Sequence, residues 1–568
     1  METPLLKDIV VIFSLSVAVL LVCHRLKIPA IVGFLFTGIL AGPHGLGLVA
    51  HVEDVSTLSE IGIVFLLFSV GMEFSFDRLK EVKRYFFIGG GIQVSLTILG
   101  GLFAGWVLGR PLREALFLGF LLSLSSTAIT LRILDQRGER NTLFGNLVVG
   151  ILIFQDIIAI PMLLFTPLLA GGGEAVDITF LGTLATGLAM LALVFFTAEF
   201  LVPKILFFIT RTRNRELFLL GVLTIGFMVG YLTASLGFSI ALGAFLAGLI
   251  ISKSEYTTEA IHDILPFQEV FLSLFFVATG MLLDVSFLFN NLLIVLGTTV
   301  GIVCLKFFTT LVASLTLRMS LRVSIITALA LAQIGEFSFV LAKLGIGLNF
   351  ANPFLYQLFL SVSLLTMALT PIFIEFAPKI ADALCSLPGM QRLRENLYPA
   401  KSREKGIFLE NHLIIVGFGW CGRRLYSIAK QREIPSLIIE MNAETVTKER
   451  SLGKTILYGD ASHEFVLKAA QIETAKVCAI VINDPVATQR IAKVLKHLKP
   501  DLKIVARAHY FSHMTFLKGV GVDEVVCDEL CASKEIMVQS LKHLGISEDV
   551  ADAMIAKEIE QTVGPVLI

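Results

Sequence analysis

The sequence predicts an all-α polytopic membrane domain followed by an α/β domain built on a parallel sheet. Three observations predict it. The 568-residue chain is 55% hydrophobic and only 16% charged, with a mean hydropathy of +0.82; a water-facing surface of this size would call for about a quarter of charged residues. Up to residue 376 the apolar residues fall into runs close to the roughly 20 residues that cross about 30 Å of hydrocarbon. Past residue 410 the runs shorten and alternate with amphipathic stretches.

Thirteen spans are expected, near 6–23, 30–48, 57–74, 85–109, 115–134, 143–170, 178–203, 216–235, 239–252, 265–283, 291–317, 323–345 and 354–376. The first lacks a basic leader and a small-residue cleavage site, so it reads as a span and not as a cleaved signal. With the N-terminus outside, sixteen basic residues between Arg25 and Arg322 fall in cytoplasmic loops, against four outside (Lys7, Arg110, Arg113, Lys343). The excess predicts an external N-terminus and, through the odd number of spans, a cytoplasmic C-terminus. The 46 basic and 46 acidic residues cancel, leaving no global basic field for nucleic acid. The seven cysteines are scattered, and no pair or histidine cluster completes a metal site around Cys527 and Cys531, so reduced thiols are expected. The domain plan is a transmembrane domain at 1–380, a charged linker at 381–410, an α/β domain at 411–528 and a helical extension at 529–568.

An ionisable side chain in mid-span is costly, so it marks a functional site by default. Asp156, in Ile151-Leu-Ile-Phe-Gln-Asp-Ile-Ile-Ala-Ile-Pro161, is the leading candidate, with the polar Gln155 before it. A carboxylate in a narrow aqueous cavity holds either a proton or a small cation. Desolvation disfavours the bare charge and a bound cation favours it, so the two compete, and competition for one site gives obligatory exchange without hydrolysis. The alternative is a carboxylate tied permanently to another helix. No phosphate-binding Walker sequence occurs, which weighs against a pump driven by nucleotide hydrolysis.

Ser123-Leu-Ser-Ser-Thr-Ala-Ile129 and Gln333-Ile-Gly-Glu-Phe-Ser338 have the composition of broken helices, which would place Ser125, Thr127 and Glu336 at the membrane midplane. Unwound carbonyls there coordinate dehydrated cations, and half-helix ends supply dipoles. The alternative is that such serines bond only to the preceding helical turn. Breaks in two spans seven apart suit an inverted repeat. Lys306 lies too far from either end of its span to snorkel fully; it needs an anion, and Asp156 and Glu336 are the obvious choices.

In the tail, His412–Val416, Ser436–Ile439, Lys454–Tyr458, Val477–Ile482 and Lys503–Ala506 read as successive parallel strands. The turn Gly417, Phe418, Gly419, Trp420, Cys421, Gly422 follows the first strand and opens a helix. Its glycines let backbone N–H groups approach a phosphate at the helix N-terminus, the mark of a Rossmann-like site. Glu440 ends the second strand, 18 residues beyond Gly422, where a carboxylate binds ribose hydroxyls. Met441 beside it, Asp460 and Ala461 after the third strand, Asn483 and Asp484 after the fourth, and Arg507 after the fifth complete the candidate crevice. An acid at 440 disfavours a 2′-phosphate, so the expected ligand is AMP, NAD(H) or another adenosine nucleotide rather than NADP; the alternative is a fold that binds nothing. No second catalytic domain follows, which disfavours a membrane-anchored oxidoreductase.

At Ser125-Ser-Thr-Ala-Ile129, Phe154-Gln-Asp-Ile157, Gly243-Ala-Phe-Leu-Ala-Gly248 and Phe275-Phe-Val-Ala-Thr-Gly-Met281 the chain resembles Kef-type potassium efflux systems of the monovalent cation:proton antiporter-2 family. The tail resembles the KTN (RCK-N) domains that regulate potassium channels and transporters. The resemblance implies a K+/H+ antiporter of the cell inner membrane, regulated by nucleotide, and a homodimer with an elevator-like cycle. It implies Asp156 as the ion-carrying carboxylate, Gln155 beside it, Ser125 and Thr127 at the crossover and Lys306 as ion-pair partner. A single acid in the core motif implies electroneutral one-for-one exchange. An ancillary cytoplasmic regulatory subunit is compatible with this plan. The chain departs from the glutathione-gated members at Thr258–Asp263, where only Asp263 matches their regulatory loop, and at Trp420, where they carry arginine. An Na+/H+ antiporter shares the architecture. A ligand-gated K+ channel would need a Thr-Val-Gly-Tyr-Gly-like filter, which is not found in the sequence.

Overall fold

Long apolar runs close every backbone hydrogen bond within themselves as helices, the solution that hydrocarbon demands. The computed structural model describes residues 4–26, 28–49, 52–73, 82–140, 142–170, 196, 199–235, 240–350, 352–386 and 409–563. Among them, eight helices are long and apolar enough to cross a membrane, and four shorter apolar helices accompany them, Ala30–Ala41, Thr57–Met72, Leu242–Ile251 and Leu321–Ala330. The expected span at 178–203 lies mostly outside the described residues.

Among the described residues, two spans are broken and a third opens irregularly. The run 115–134 divides into Leu112–Ser123 and Thr127–Gln136, and 323–345 into Leu321–Ala330 and Glu336–Gly347, as their serine- and glycine-bearing centres suggest. The run 85–109 opens with a π-helical turn, Tyr85–Gly90, before the α-helix Gly91–Val107. Gly90 permits a close approach there: a Cβ would stand 2.3 Å from Cβ of Phe154, next door to Gln155.

The last membrane helix, Pro353–Ser386, runs ten residues past the expected end at 376 and into the expected linker. Ala377 and Ala381 are buried, and buried Arg322 donates from Nε to Asp382 Oδ1 at 3.0 Å. An inward ion pair thus holds a turn whose charges suggest a solvated connector. The Thr258–Asp263 stretch is likewise helical, in the opening turns of Thr257–Met281.

The chain divides into two compact units. The C-terminal one holds a six-stranded all-parallel sheet in the order β3-β2-β1-β4-β5-β6. The strands are β1 Leu413–Val416, β2 Ser436–Glu440, β3 Ile456–Tyr458, β4 Val477–Ile480, β5 Lys503–Ala508 and β6 Glu524–Cys527. Ile414, Ile439, Cys478, Ile480 and Ile504 are buried in one core and Ile415, Ile438 and Ile456 in another, as a sheet covered on both faces requires. The sequence reading lacks β6, a four-residue edge strand that begins on an acid and is only partly buried. Two helices, Asp528–His543 and Glu548–Val563, occupy the described part of the expected extension.

Candidate ion site and nucleotide crevice

The two broken helices meet at their breaks. Leu124 turns extended (φ −87°, ψ 139°) and stops the first half-helix. Ser126 caps the second, its Oγ accepting from Ile129 N at 3.3 Å. Opposite, Gly335 (φ −99°, ψ 172°) precedes Glu336–Gly347. Gly335 N donates to Leu124 O at 3.0 Å, and a Cβ at Gly335 would lie 2.5 Å from the Ser125 carbonyl carbon and oxygen, so glycine is required for the approach. Hydroxyls stitch the breaks together: Ser125 Oγ donates to Leu331 O at 3.0 Å and Ser338 Oγ to Leu121 O at 2.7 Å. Gln333 Nε2 donates to Thr130 Oγ1 at 2.8 Å. Backbone left unpaired by the breaks is thereby satisfied inside the protein.

All six candidate ion-site residues converge on residues 122–128. Gln155 Oε1 accepts from Ser125 N at 2.7 Å. Thr127 Oγ1 lies 2.9 and 3.0 Å from the two carboxylate oxygens of half-buried Asp156. Buried Glu336 accepts from Ala128 N at 3.2 Å through Oε1, and its Oε2 has no hydrogen-bond partner among the described residues. Lys306 is fully buried, and its Nζ donates to Leu122 O at 2.9 Å and Leu124 O at 2.7 Å. This corrects the expected ion pair with Asp156 or Glu336: carbonyls freed by the helix break are the acceptors of Lys306 Nζ. Leu124 O, which also takes Gly335 N, has both of its acceptor positions filled.

The sequence reading missed Gln93. It is fully buried and accepts from Gln155. The available signal was one amide inside the apolar run from Gly91 to Leu99, at a depth where a polar group must have a partner.

In the C-terminal unit, Gly417 adopts φ 97°, which favours glycine. A Cβ on Gly422 would fall 2.1 Å from Gly417 O, so the helix Trp420–Gln431 starts tight against the turn. Open space surrounds Gly419. Glu440 accepts from Phe418 N through Oε2 and from Asn442 N through Oε1, both at 2.8 Å, so it braces the turn. Phe418 turns its ring inward, buried beneath the Arg423 guanidinium and the Lys454 ammonium, 5.0 and 5.2 Å from the centroid. Only its backbone faces the turn.

Asp484 caps the helix Pro485–Leu498 by accepting from Ala487 N at 2.9 Å, a structural job that its position after a strand had read as ligand contact. Asp460 accepts from Ser462 N at 2.9 Å. Arg507 Nη1 donates to Asn483 Oδ1 at 2.8 Å, while Nε and Nη2 hold Asp528 at 2.9 and 2.6 Å. The Asp528 carboxylate, through these bonds, raises the Arg507 guanidinium pKa further above its ordinary value. Trp420 is 79% exposed, Cys421 and Met441 are half-buried and Ala461 is buried.

Residues 11–377 match the family model described as sodium/hydrogen exchanger, transmembrane, and residues 413–528 match the TrkA-N domain. The chain is 33% identical over 542 residues to the putative cation/proton antiporter YbaL of Escherichia coli (strain K12), covering 93% of this chain and 95% of that protein. It is 30% identical over 529 residues to the glutathione-regulated potassium-efflux system protein KefC of Cronobacter sakazakii, covering 92% of this chain and 83% of KefC. The sodium proton antiporter MjNhaP1 of Methanocaldococcus jannaschii superimposes on 68% of this chain and 100% of its own length, with a TM-score of 0.53 at 18% identity, a likeness of fold.

Proposed function

The chain belongs to the sodium/hydrogen exchanger family, as a Kef-type cation/proton antiporter with a TrkA-N domain, and from that footing we propose that it exchanges K+ for H+ under the control of an adenosine nucleotide. The observation that carries the exchange is the half-buried Asp156 with the Thr127 hydroxyl across both its oxygens, at the meeting of two helix breaks. A half-buried carboxylate holds either a proton or an alkali cation: desolvation favours the proton, a bound cation favours the charge, and the two compete. Gln155 and Ser125 fix the adjoining backbone, and Thr127 supplies a second oxygen. Glu336 lies on the other half of the crossover. With Gln155 rather than a second acid beside Asp156, each turnover carries one charge each way.

Potassium is favoured by the KefC likeness, since KefC is named for potassium efflux. Regulation is supported by the TrkA-N match and by the Gly417–Gly422 turn, which opens a helix whose N-terminal N–H groups suit a phosphate. AMP or NAD(H) fits the acid at 440. The chain works as a homodimer, with its N-terminus outside and its TrkA-N domain in the cytoplasm.

The test is a proteoliposome assay with a lumenal pH dye and K+, Na+, Li+ or Rb+ added in turn. Cation-dependent proton movement is expected from the wild type, strongest with K+, and none from Asp156→Asn. Exchange at the wild-type rate by Asp156→Asn would end the assignment, and a preference for Na+ would make the protein a sodium antiporter. Cation flux without proton movement would make it a channel.

A further inference from the structure

A run of buried polar contacts flanks the first helix break. Gln93, on the helix Gly91–Val107, accepts through Oε1 from Gln155 Nε2 at 2.7 Å. Its own Nε2 donates to Thr97 Oγ1 at 3.2 Å and reaches Ser123 O at 3.4 Å. Thr97 Oγ1 donates to Gln93 O at 2.8 Å and lies 2.9 Å from Thr309 Oγ1. The Thr309 hydroxyl is 3.1 Å from Lys306 O, and Lys306 Nζ returns to the carbonyls of Leu122 and Leu124. Gln93, Thr97, Gln155 and Lys306 are fully buried and Thr309 is 7% exposed.

The bonds from Gln155 to Gln93 and from Ser125 to Gln155 have a direction. An amide presents an acceptor at one end and donors at the other. With Nε2 of Gln155 held by Gln93, its Oε1 must face Ser125 N, where it accepts at 2.7 Å. A flipped Gln155 would set donor against donor at Ser125 and acceptor against acceptor at Gln93. Ser125 N and Gln93 Oε1 thus hold the Gln155 amide in one orientation from its two ends, and the backbone it braces leads within two residues to Thr127 and its contact with Asp156.

We propose that Gln93 is a positioning residue for the exchange. Acting through Gln155, it fixes the Leu124–Ser126 stretch and so sets the affinity and the selectivity for the cation. The proposal rests on the reading of Asp156 as the exchanging carboxylate. It needs no contact between Gln93 and the ion. A loosely held break would adapt to cations of different radius, whereas a fixed one discriminates between them.

The test compares Gln93→Leu, Gln93→Glu and Thr97→Val with the wild type in proteoliposomes, measuring KM and kcat for K+, Rb+ and Na+. Leaving Gln155 Nε2 without its buried acceptor is expected to raise KM for K+ roughly tenfold in Gln93→Leu, to narrow the difference between cations and to leave kcat unchanged. Gln93→Glu keeps a carboxyl oxygen for Gln155 Nε2 and is expected to recover most of the affinity; Thr97→Val should fall between them. A Gln93→Leu protein with wild-type melting temperature, KM and selectivity would overturn the inference. So would an equal loss of kcat for every cation that Gln93→Glu fails to restore. Should Gln93→Leu not fold, wild-type selectivity in Thr97→Val together with no recovery of affinity in Gln93→Glu would also overturn it. An active Asp156→Asn sinks the underlying reading, whereas an inactive Asp156→Asn beside an unaltered Gln93→Leu sinks this inference alone.

Discussion

Adding one methyl group at Gly335 tests whether the crossing of the two helix breaks is as tight as its geometry requires. The Cβ of Gly335→Ala would sit 2.5 Å from the Ser125 carbonyl carbon and oxygen and 3.0 Å from Ser126 N. Non-bonded heavy atoms rest at about 3.5–4.0 Å, so one backbone must move by roughly 1 Å. No side chain can yield, because all three atoms are main chain. The shift falls on Leu124 O, which takes both Gly335 N at 3.0 Å and Lys306 Nζ at 2.7 Å. Overpacking of this kind costs about 1–3 kcal/mol. If that strain falls on the transport-competent geometry, kcat/KM for K+ drops roughly 5- to 150-fold, at about 1.36 kcal/mol per tenfold. The control is Gly347→Ala on the same half-helix, where the added methyl meets nothing within 4 Å; its rate should match the wild type. The assay is initial proton movement in proteoliposomes at matched protein content, with gel filtration to establish folding. Wild-type KM and rate in Gly335→Ala would refute the claim that the crossing sets the site.

Two further predictions concern the C-terminal unit. Glu440→Ala removes both the proposed ribose acceptor and the brace on Phe418 N and Asn442 N, so AMP and NADH should bind the full-length protein roughly tenfold or more weakly by calorimetry; unchanged affinity would remove Glu440 from the site. His412 is fully buried with Nε2 3.0 Å from Ala470 O, and burial pushes its pKa below the ordinary imidazole value. The unfolded chain then takes up a proton near pH 6.5 that the folded chain resists, so stability is full above about pH 6.5 and falls as the pH drops toward the folded value. Amide exchange at Leu413–Val416, corrected for its intrinsic rate, should accelerate between pH 7.5 and 5.5 in the wild type and less steeply in His412→Asn. Equal slopes would remove the imidazole as the cause.

How much of this was legible in the sequence depended on whether the cause was local. Apolar length is local, so most spans fall near their expected places. The two breaks were legible because serine, threonine and glycine at mid-span announce unwound backbone. The helix from 377 to 386 was not, because Asp382 looks solvated until Arg322, 60 residues earlier, is seen to meet it. Asp484 looks the same as cap or as ligand contact when only its place after a strand is known. Gln93 was passed over because its partner, Gln155, lies 62 residues away, and an isolated amide carries no sign of what it orients.

Lys306 marks a deeper limit. Charge is written in a sequence, whereas the direction of a carbonyl is not, so pairing by charge chose a carboxylate where the fold supplies Leu122 O and Leu124 O. A carbonyl oxygen has two lone pairs, and those of Leu124 are taken by Lys306 Nζ and Gly335 N. The break that would ordinarily offer oxygens to a dehydrated ion therefore commits two of them to the Lys306 side chain. On the proposed reading, the mobile cation must find its ligands at Asp156, Thr127 and whatever else faces them, on a frame that Lys306, Gly335 and Gln93 hold from behind. Selection by size then depends on the stiffness of that frame, and the residues that never meet the ion become the ones that decide which ion is carried.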